Sequence, residues 1–242
     1  MILGIIPARY ASTRFPGKPL ALIQGRTMIQ RVYEQAAATH RLDQVVVATD
    51  DERIAEHVLD FGGFVHMTRS DHPSGTDRCA EVAQRFQTAE LIINIQGDEP
   101  FIQPAQIDLL ANSMVEASVF SIGTLAKRIA DQDTLFNPNV VKVVFSTQHG
   151  ALYFSRHPIP FLRNETPENW LANGLFYKHI GLYAYRRDTL LEIAGLQPSP
   201  LEKAESLEQL RWIEHGHRIL VAETELETAG IDTPEDLEKV NA

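Results

Sequence analysis

The chain has 242 residues, 44% hydrophobic and 22% charged, with a net charge of −10. That is one large globular domain, long enough to fold without a disulfide or a structural metal. The acidic balance, 32 acidic against 22 basic residues, excludes a broad nucleic-acid surface but not a small anion site. The single cysteine, Cys79, rules out an intrachain disulfide and fits a reducing, cytoplasmic compartment. Met1–Arg9 carries no basic leader and no apolar run reaches membrane-spanning length, so neither a signal peptide nor an anchor is expected.

In chain order, the apolar run Ile2–Ile6, closed by Pro7, predicts a buried strand. Pro7–Pro19 reads as a loop with three prolines, Gly17 and three basic residues. Met28, Ile29, Val32, Tyr33 and Ala36 recur at helical spacing. Val45–Thr49 is a β-branched strand, and Asp50-Asp51-Glu52 opens a helix with Ile54 and Val58 on its apolar face. Phe64–Met67 predicts a short strand, and Arg69–Thr76 a polar loop. Cys79, Val82, Ala83 and Phe86 mark the next helix. Leu91–Ile95 is an apolar strand ending in Gln96-Gly97-Asp98-Glu99-Pro100, and a helix runs from about Pro104 to Glu116. This alternation predicts an α/β fold, a mostly parallel sheet with helices on both faces. Ligands of such sheets bind beyond the carboxyl ends of the strands, where the three polar loops fall.

The second half changes character. Val140–Phe145 and Ala151–Ser155 read as a hairpin, 156–178 has little periodicity, and 178–185 alternates like a strand. Glu202–Glu214 predicts one helix, Arg218–Ala222 a strand, and Asp232-Thr233-Pro234-Glu235 the start of a terminal helix with Thr233 as N-cap. Repeats and low-complexity tracts are absent.

The common motifs are missing. There is no G-x-G-x-x-G, no P-loop (Gly17-Lys18 is followed by Pro19), no H-E-x-x-H, no paired C-x-x-C and no G-x-S-x-G. What remains is a set of placed charges. Arg9, Arg14 and Lys18 put three cations on the first loop, among small residues (Ala8, Ala11, Ser12, Gly17) that let backbone amides approach a ligand. Three cations alone fit a solvated basic loop equally well; the position after the first strand favours a polyphosphate. Asp98, just past a buried strand, is placed for a magnesium ion, with Asp232 as a second carboxylate. Their structural alternatives are a turn residue and a helix cap. Ser74, Gly75, Thr76 and Arg78 offer hydroxyls, amides and a cation near a base or phosphate, or an ordinary loop with Thr76 capping a helix. His179, Tyr183 and Tyr185 share one strand face, which suits a polyhydroxylated or acidic sugar, or else forms aromatic cross-strand pairs. Arg156, Glu208 and Gln209 complete that polar set, although Glu208 among Glu202, Glu205 and Glu214 also reads as part of a solvated helix face. Of the nine histidines, His40, His57 and His149 read as surface residues, and His215 and His217 flank a helix end.

Ile5-Ile6-Pro-Ala-Arg-Tyr-Ala-Ser-Thr-Arg-Phe-Pro-Gly-Lys-Pro-Leu resembles the opening of the sugar cytidylyltransferases, in particular the branch that acts on 3-deoxy-manno-octulosonate (Kdo). Further blocks follow in the same order: Val47-Ala-Thr-Asp-Asp, Ser74-Gly-Thr-Asp-Arg, Asn94-Ile-Gln-Gly-Asp-Glu-Pro, Phe136–Val144, Ala151–Arg156, Lys178–Tyr185, Leu207–Arg211 and Ile231–Leu237. Only Arg163–Leu175 is unmatched. The resemblance implies a nucleotide-diphospho-sugar transferase fold over 1–242. The nucleotide half is about 1–120; a smaller β-rich half, about 121–242, takes the sugar and the dimer contact near 135–190. It implies Mg²⁺, CTP and Kdo as ligands, a homodimer, and no nucleic-acid or membrane partner. By resemblance, Pro7, Ala8, Arg9, Ser12, Arg14, Lys18, Ser74, Gly75 and Arg78 hold CTP. Asp98 and Asp232 hold the metal, with Arg9 and Lys18 acting beside them in catalysis. Gln96, Arg156, His179, Tyr183, Glu208 and Gln209 line the sugar site. The implied reaction is CTP + Kdo → CMP-Kdo + pyrophosphate, activating Kdo for lipopolysaccharide synthesis. The competing readings are another ulosonic acid (8-amino-Kdo or sialic acid), a non-catalytic nucleotide-binding regulator, and a glycosyltransferase. A regulator is expected to lack one metal carboxylate. A glycosyltransferase is expected to carry D-x-D where this chain has Gly97-Asp98-Glu99.

Overall fold

Period-two sorting of apolar side chains organises the sheet, since alternate strand residues face opposite sides. In β1 (Ile2–Ala8), Leu3 and Ile5 join one core cluster and Ile6 the other. The computed structural model describes residues 1–11, 15–228, 230–231 and 233–241; Ser12, Arg14 and Asp232, three of the expected site residues, lie outside them. The remaining strands are β2 (Leu22–Ile23), β3 (Arg26–Thr27), β4 (Gln44–Thr49), β5 (Val65–Met67), β6 (Leu91–Asn94), β7 (Ile122–Arg128), β8 (Lys142–Phe145), β9 (Ala151–Ser155), β10 (Tyr177–Arg186) and β11 (Ile219–Glu223). The helices are α1 (Met28–Ala37), α2 (Glu52–Asp60), α3 (Gly75–Arg85), α4 (Pro104–Glu116), α5 (Gln132–Phe136), α6 (Arg187–Ile193), α7 (Pro200–Glu205), α8 (Glu208–Glu214) and α9 (Pro234–Asn241).

The main sheet runs β11-β7-β10-β6-β1-β4-β5, with the β8–β9 hairpin joined to the start of β10; β2 and β3 pair separately. Pairing is parallel from β6 to β5 and between β11 and β7, while β10 runs antiparallel between β6 and β7. One face carries Val46, Ile92, Tyr185, Cys79 and Trp212; the other carries Val47, Ile93, Ile29, Val58 and Leu110. Each such buried side chain contributes roughly 1.5–3 kcal/mol through removal from water.

Local signals set the helices of the first half. Thr27 caps α1 by accepting from Gln30 N at 3.3 Å, and Asp51 caps α2 through Arg53 N at 3.0 Å. Several expectations are corrected. β1 does not stop before Pro7 but continues to Ala8. The β6 ladder has ended by then, its last bond being Ile95 N to Ile5 O, so the N–H that Pro7 lacks has no partner to lose. The expected helix Glu202–Glu214 is two helices, broken at Ser206 (φ 53°) and an extended Leu207. Tertiary contacts impose that break. Arg156 donates to the carbonyls of Glu205 (2.7 Å) and Ser206 (3.3 Å), while the Glu205 carboxylate accepts from Ser155 Oγ and Arg156 N. β7, α5 and α6 were not expected at all, and the unmatched stretch 163–175 contains a 3-10 turn, Pro167–Asn173.

Lys142 is fully buried on β8 and makes no salt bridge among the described residues. Its ammonium donates to the carbonyls of Asn137 (2.7 Å), Val140 (2.8 Å) and Arg156 (2.9 Å). Those bonds offset its desolvation and fix the backbone that carries Arg156.

Candidate active site

Three loops meet beyond the carboxyl ends of β1 and β6. They form one cleft lined by Pro7, Ala8, Arg9, Lys18, His72, Ser74, Gly75, Arg78, Gln96 and Asp98, among others. The described ends of the first loop are tied together, Gly17 N donating to Tyr10 O at 2.9 Å. Gly17 has φ +72°, a conformation other residues adopt only with strain. The Arg53 guanidinium stacks 3.4 Å from the centroid of the Tyr10 ring and braces the turn. Lys18 starts a 3-10 turn and reaches Asp98 Oδ2 at 2.8 Å. Arg9 is exposed on the cleft rim.

The third loop is held by packing. A Cβ added to Gly97 stands 2.8 Å from the carbonyl oxygen of Pro7, so only glycine lets the β6 loop lie against β1. Gln96 donates to Gly181 O at 3.2 Å and reaches the irregular step of β10 between Ile180 and Tyr183. Ile231 N donates to Asp98 O at 2.9 Å, bringing the segment before α9 against Asp98. Thr228 donates to Glu99 at 3.2 Å and steadies the same segment.

On the second wall, Ser74, not Thr76, caps α3, accepting from Asp77 N at 3.2 Å. Glu208 is not on a solvated face. It accepts from Thr76 Oγ1 at 2.7 Å and Ser74 Oγ at 3.1 Å. Burial, only partly opposed by those bonds, raises its carboxyl above the ordinary value. Gln209 beside it is buried. The Arg78 guanidinium is directed at Asp50 (3.3 Å) and at Thr68 Oγ1, so although it lines the cleft its charge is engaged inside the protein.

His179, Tyr183 and Tyr185 do share one face, but Tyr183 and Tyr185 are part of the core and His179 is half-buried beside them. Tyr183 contacts the rings of His179, Tyr185 and Trp212 at centroid distances of 5.3, 5.9 and 5.1 Å. Burial pushes the His179 imidazole down to about 3, so it is neutral at physiological pH. Thr124 Oγ1 lies 2.9 Å from His179 Nε2 and directs its own hydrogen to the carbonyls of Ile180 or Leu182. His179 therefore carries its proton on Nε2 and keeps Nδ1 as an acceptor. Among the described residues, Asn94 Oδ1 and Tyr183 Oη, on paired positions of β6 and β10, are buried without hydrogen-bond partners. Arg156 sits across the α7–α8 break, with three of its N–H groups on the carbonyls of Glu205, Ser206 and Pro138.

No cluster of three His, Cys, Asp or Glu residues among the described residues could hold a metal. Asp98 offers a part-exposed carboxylate, the donor type a hard cation takes beside phosphate oxygens, with the Lys18 ammonium against its Oδ2.

A cation-lined loop after β1, a carboxylate after β6 and a helix N-terminus between them suit nucleotide chemistry, and the comparisons agree. The family model for cytidylyltransferase matches residues 3–219. The chain belongs to the cytidylyltransferase family. A 3-deoxy-manno-octulosonate cytidylyltransferase of Cytophaga hutchinsonii is 56% identical over 99% of this chain and 96% of its own length. One of Geobacter sulfurreducens is 54% identical over 99% and 97%. The solved structure of CMP:2-keto-3-deoxy-manno-octonic acid synthetase complexed with CTP superposes with a TM-score of 0.92 at 45% identity, covering 99% of this chain and 96% of that one. The expected nucleotide-diphospho-sugar transferase fold is thus the fold found. No helix among the described residues is long and apolar enough to cross a membrane.

Sequence reasoning located the three loops of this cytidylyltransferase but missed the Lys142 anchor and the burial of Glu208. The only signal for Lys142 was a lysine within an apolar strand, Val140-Val141-Lys142-Val143-Val144. Two outcomes are expected. Gly97→Ala forces the β6 loop away from Pro7 O; steady-state kinetics should show kcat/KM lowered by about tenfold or more, as misplacement of a reacting group by an ångström costs up to 10²-fold. Glu208 binds its proton more tightly in the folded chain than in the unfolded one. Its contribution to stability is therefore fully present below about pH 4.5 and lost as pH rises through its raised value. Denaturant unfolding from pH 4 to 8 should show this downward slope in the wild type and its absence in Glu208→Gln.

Proposed function

We propose that this chain transfers CMP from CTP to the anomeric hydroxyl of Kdo, releasing pyrophosphate, with Mg²⁺ as cofactor. CMP-Kdo then serves as the activated sugar for lipopolysaccharide synthesis, and the enzyme acts as a cytoplasmic homodimer. The observation that carries this reading is the full-length likeness to the CTP-complexed synthetase, together with three loops that meet in one cleft.

Arg9, Lys18, Arg14 and the backbone of Pro7–Ser12 bind the triphosphate, with Ser74, Gly75 and Arg78 on the opposite wall. Asp98 and Asp232 would hold the metal, which would supply polarisation of the α-phosphate and a lowered pKa for the attacking hydroxyl. The sugar oxygen forms a bond to the α-phosphorus as the bond to the β-phosphate bridging oxygen breaks, and the electron pair leaves with pyrophosphate. Lys18 and Arg9 neutralise the charge that develops there. Gln96, Arg156, His179, Tyr183, Glu208 and Gln209 line the sugar side. The neutral His179 accepts a sugar hydroxyl at Nδ1, and the unpartnered Tyr183 Oη and Asn94 Oδ1 mark where polar ligand atoms or water complete the bonding. Arg156 keeps two of its five N–H donors for the substrate carboxylate. The nucleotide half (about 1–120) and the sugar half (about 121–242) share one sheet. Phe136 and Phe161, exposed beside Trp170 in the second half, supply apolar surface for a second copy.

The test is pyrophosphate release from CTP and Mg²⁺ with Kdo, 8-amino-Kdo, sialic acid or no sugar. Release with Kdo, abolished by EDTA, is expected; release only with another acid would reassign the sugar. Asp98→Asn should lower kcat by about 10²-fold or more, the scale of losing a charge-stabilising group, while calorimetry finds CTP binding changed much less. Near-normal turnover would remove Asp98 from the mechanism.

A further inference from the structure

The cleft has two unlike walls. Arg9 and Lys18 make one of them cationic, suited to phosphates. On the other wall, the cleft-lining side chains among residues 72–78 present almost no available charge, Asp77 not being one of them. Arg78 is engaged with Asp50 and Thr68, and Ser74 Oγ is engaged with Asp77 and Glu208. One polar side-chain atom on that wall is uncommitted. His72 lines the cleft, and its Nε2 lies 2.5 Å from Glu81 Oε2 on α3. Glu81 also accepts from Arg69 N at 3.1 Å and faces Arg85 at 3.8 Å. Although burial opposes its charge, the hydrogen bonds from His72 and Arg69 outweigh burial and hold Glu81 below the ordinary carboxylate value. An ionised carboxylate only accepts, so the neutral form of the His72 imidazole carries its proton on Nε2. Nδ1 is left as a lone-pair acceptor that makes no hydrogen bond among the described residues.

We propose that His72 reads the base. Its Nδ1, in the tautomer set by Glu81, accepts a hydrogen bond from the 4-amino group of cytosine and opposes the 4-oxo group of uracil. Cytosine and uracil differ at that position as donor and acceptor, and a site built around an acceptor leaves the wrong base unpaired. The proposal rests on CTP being the nucleotide. It goes beyond that reading by assigning the choice of base to one side-chain atom on the wall that phosphates do not use.

Two substitutions separate reading from mere support. His72→Gln keeps a group at the Nε2 position for Glu81 but has no atom where Nδ1 was. His72→Asn keeps a polar atom at the Nδ1 position and loses the bond to Glu81. Calorimetry of CTP and UTP, without sugar, should show the wild type preferring CTP. His72→Gln should bind CTP about tenfold more weakly, the scale of one lost buried hydrogen bond, with UTP binding unchanged, and His72→Asn should keep most of the preference. An unchanged CTP-to-UTP ratio in His72→Gln overturns the proposal, as does a loss confined to His72→Asn. A wild type with no preference for CTP defeats the nucleotide reading itself. Should His72→Gln not fold, ¹⁵N spectra of the wild type decide: Nδ1 must shift with CTP and not with UTP, and no shift with CTP overturns the assignment.

Discussion

Glu208 joins what the chain keeps far apart. Its carboxylate receives hydrogens from Ser74 and Thr76, more than 130 residues away. Ser74 is also the N-cap of α3, so the bond that closes the cleft wall is made by the residue that starts the helix. The carboxylate is buried against its own preference for water, and only those hydroxyls and the nearby Arg211 favour its charged form. The cleft wall at Ser74 and the start of α8 are therefore set by one desolvated acid rather than by two independent packings. Arg156 contributes from the other side, since its bonds to Glu205 and Ser206 break the helix one residue before Leu207 and let α8 begin at Glu208.

The sheet supplies the second constraint. A parallel α/β sheet leaves space beyond its carboxyl edge, and here β10 enters antiparallel beside β6. Its irregular step between Ile180 and Tyr183 falls next to Gln96, so the loop that carries Asp98 and the strand that carries His179 are tied together at Gly181. Gly97 against Pro7 then sets the distance between the β6 loop and the β1 loop. Two contacts, Gln96 on the Gly181 carbonyl and Gly97 against Pro7 O, place the cleft, and at Gly97 there is no room for a side chain.

The first half was legible because its physics is local. Apolar runs, caps such as Asp51 and a proline-rich loop follow from neighbours in sequence. The second half was less legible because distant partners decide it. The 202–214 segment has helical periodicity throughout, and nothing local shows that Arg156 and Ser155 will take its carbonyls and its Glu205 carboxylate. β7 hid behind Gly123, which lies where an added Cβ would meet the Met114 side chain of α4 at 2.6 Å. Glu208 among other glutamates reads as solvated by composition alone, and its burial depends on α3, which folds from another part of the chain. His179 and Tyr183 do share a strand face, as their spacing implied, but Tyr183 is buried in the core and His179 only half-buried.

The protein carries a net negative charge yet handles two anionic substrates in the proposed reaction, and the distribution of its cations explains how. Arg78 is neutralised by Asp50, and Lys142 is locked onto three carbonyls. Neither offers a mobile charge to a ligand; both fix backbone near the places where ligands would sit. Lys18, paired with Asp98 across the cleft, is different. In the proposed reaction a metal ion held by Asp98 would compete with Lys18 for the same carboxylate oxygen. The pair thus holds the ammonium and the carboxylate aligned across the cleft, where the proposed reaction would need a phosphate ligand and a metal ligand side by side. Electrostatic preorganisation of this kind needs one well-placed ion pair rather than a basic surface, which is why the overall charge carries no trace of it.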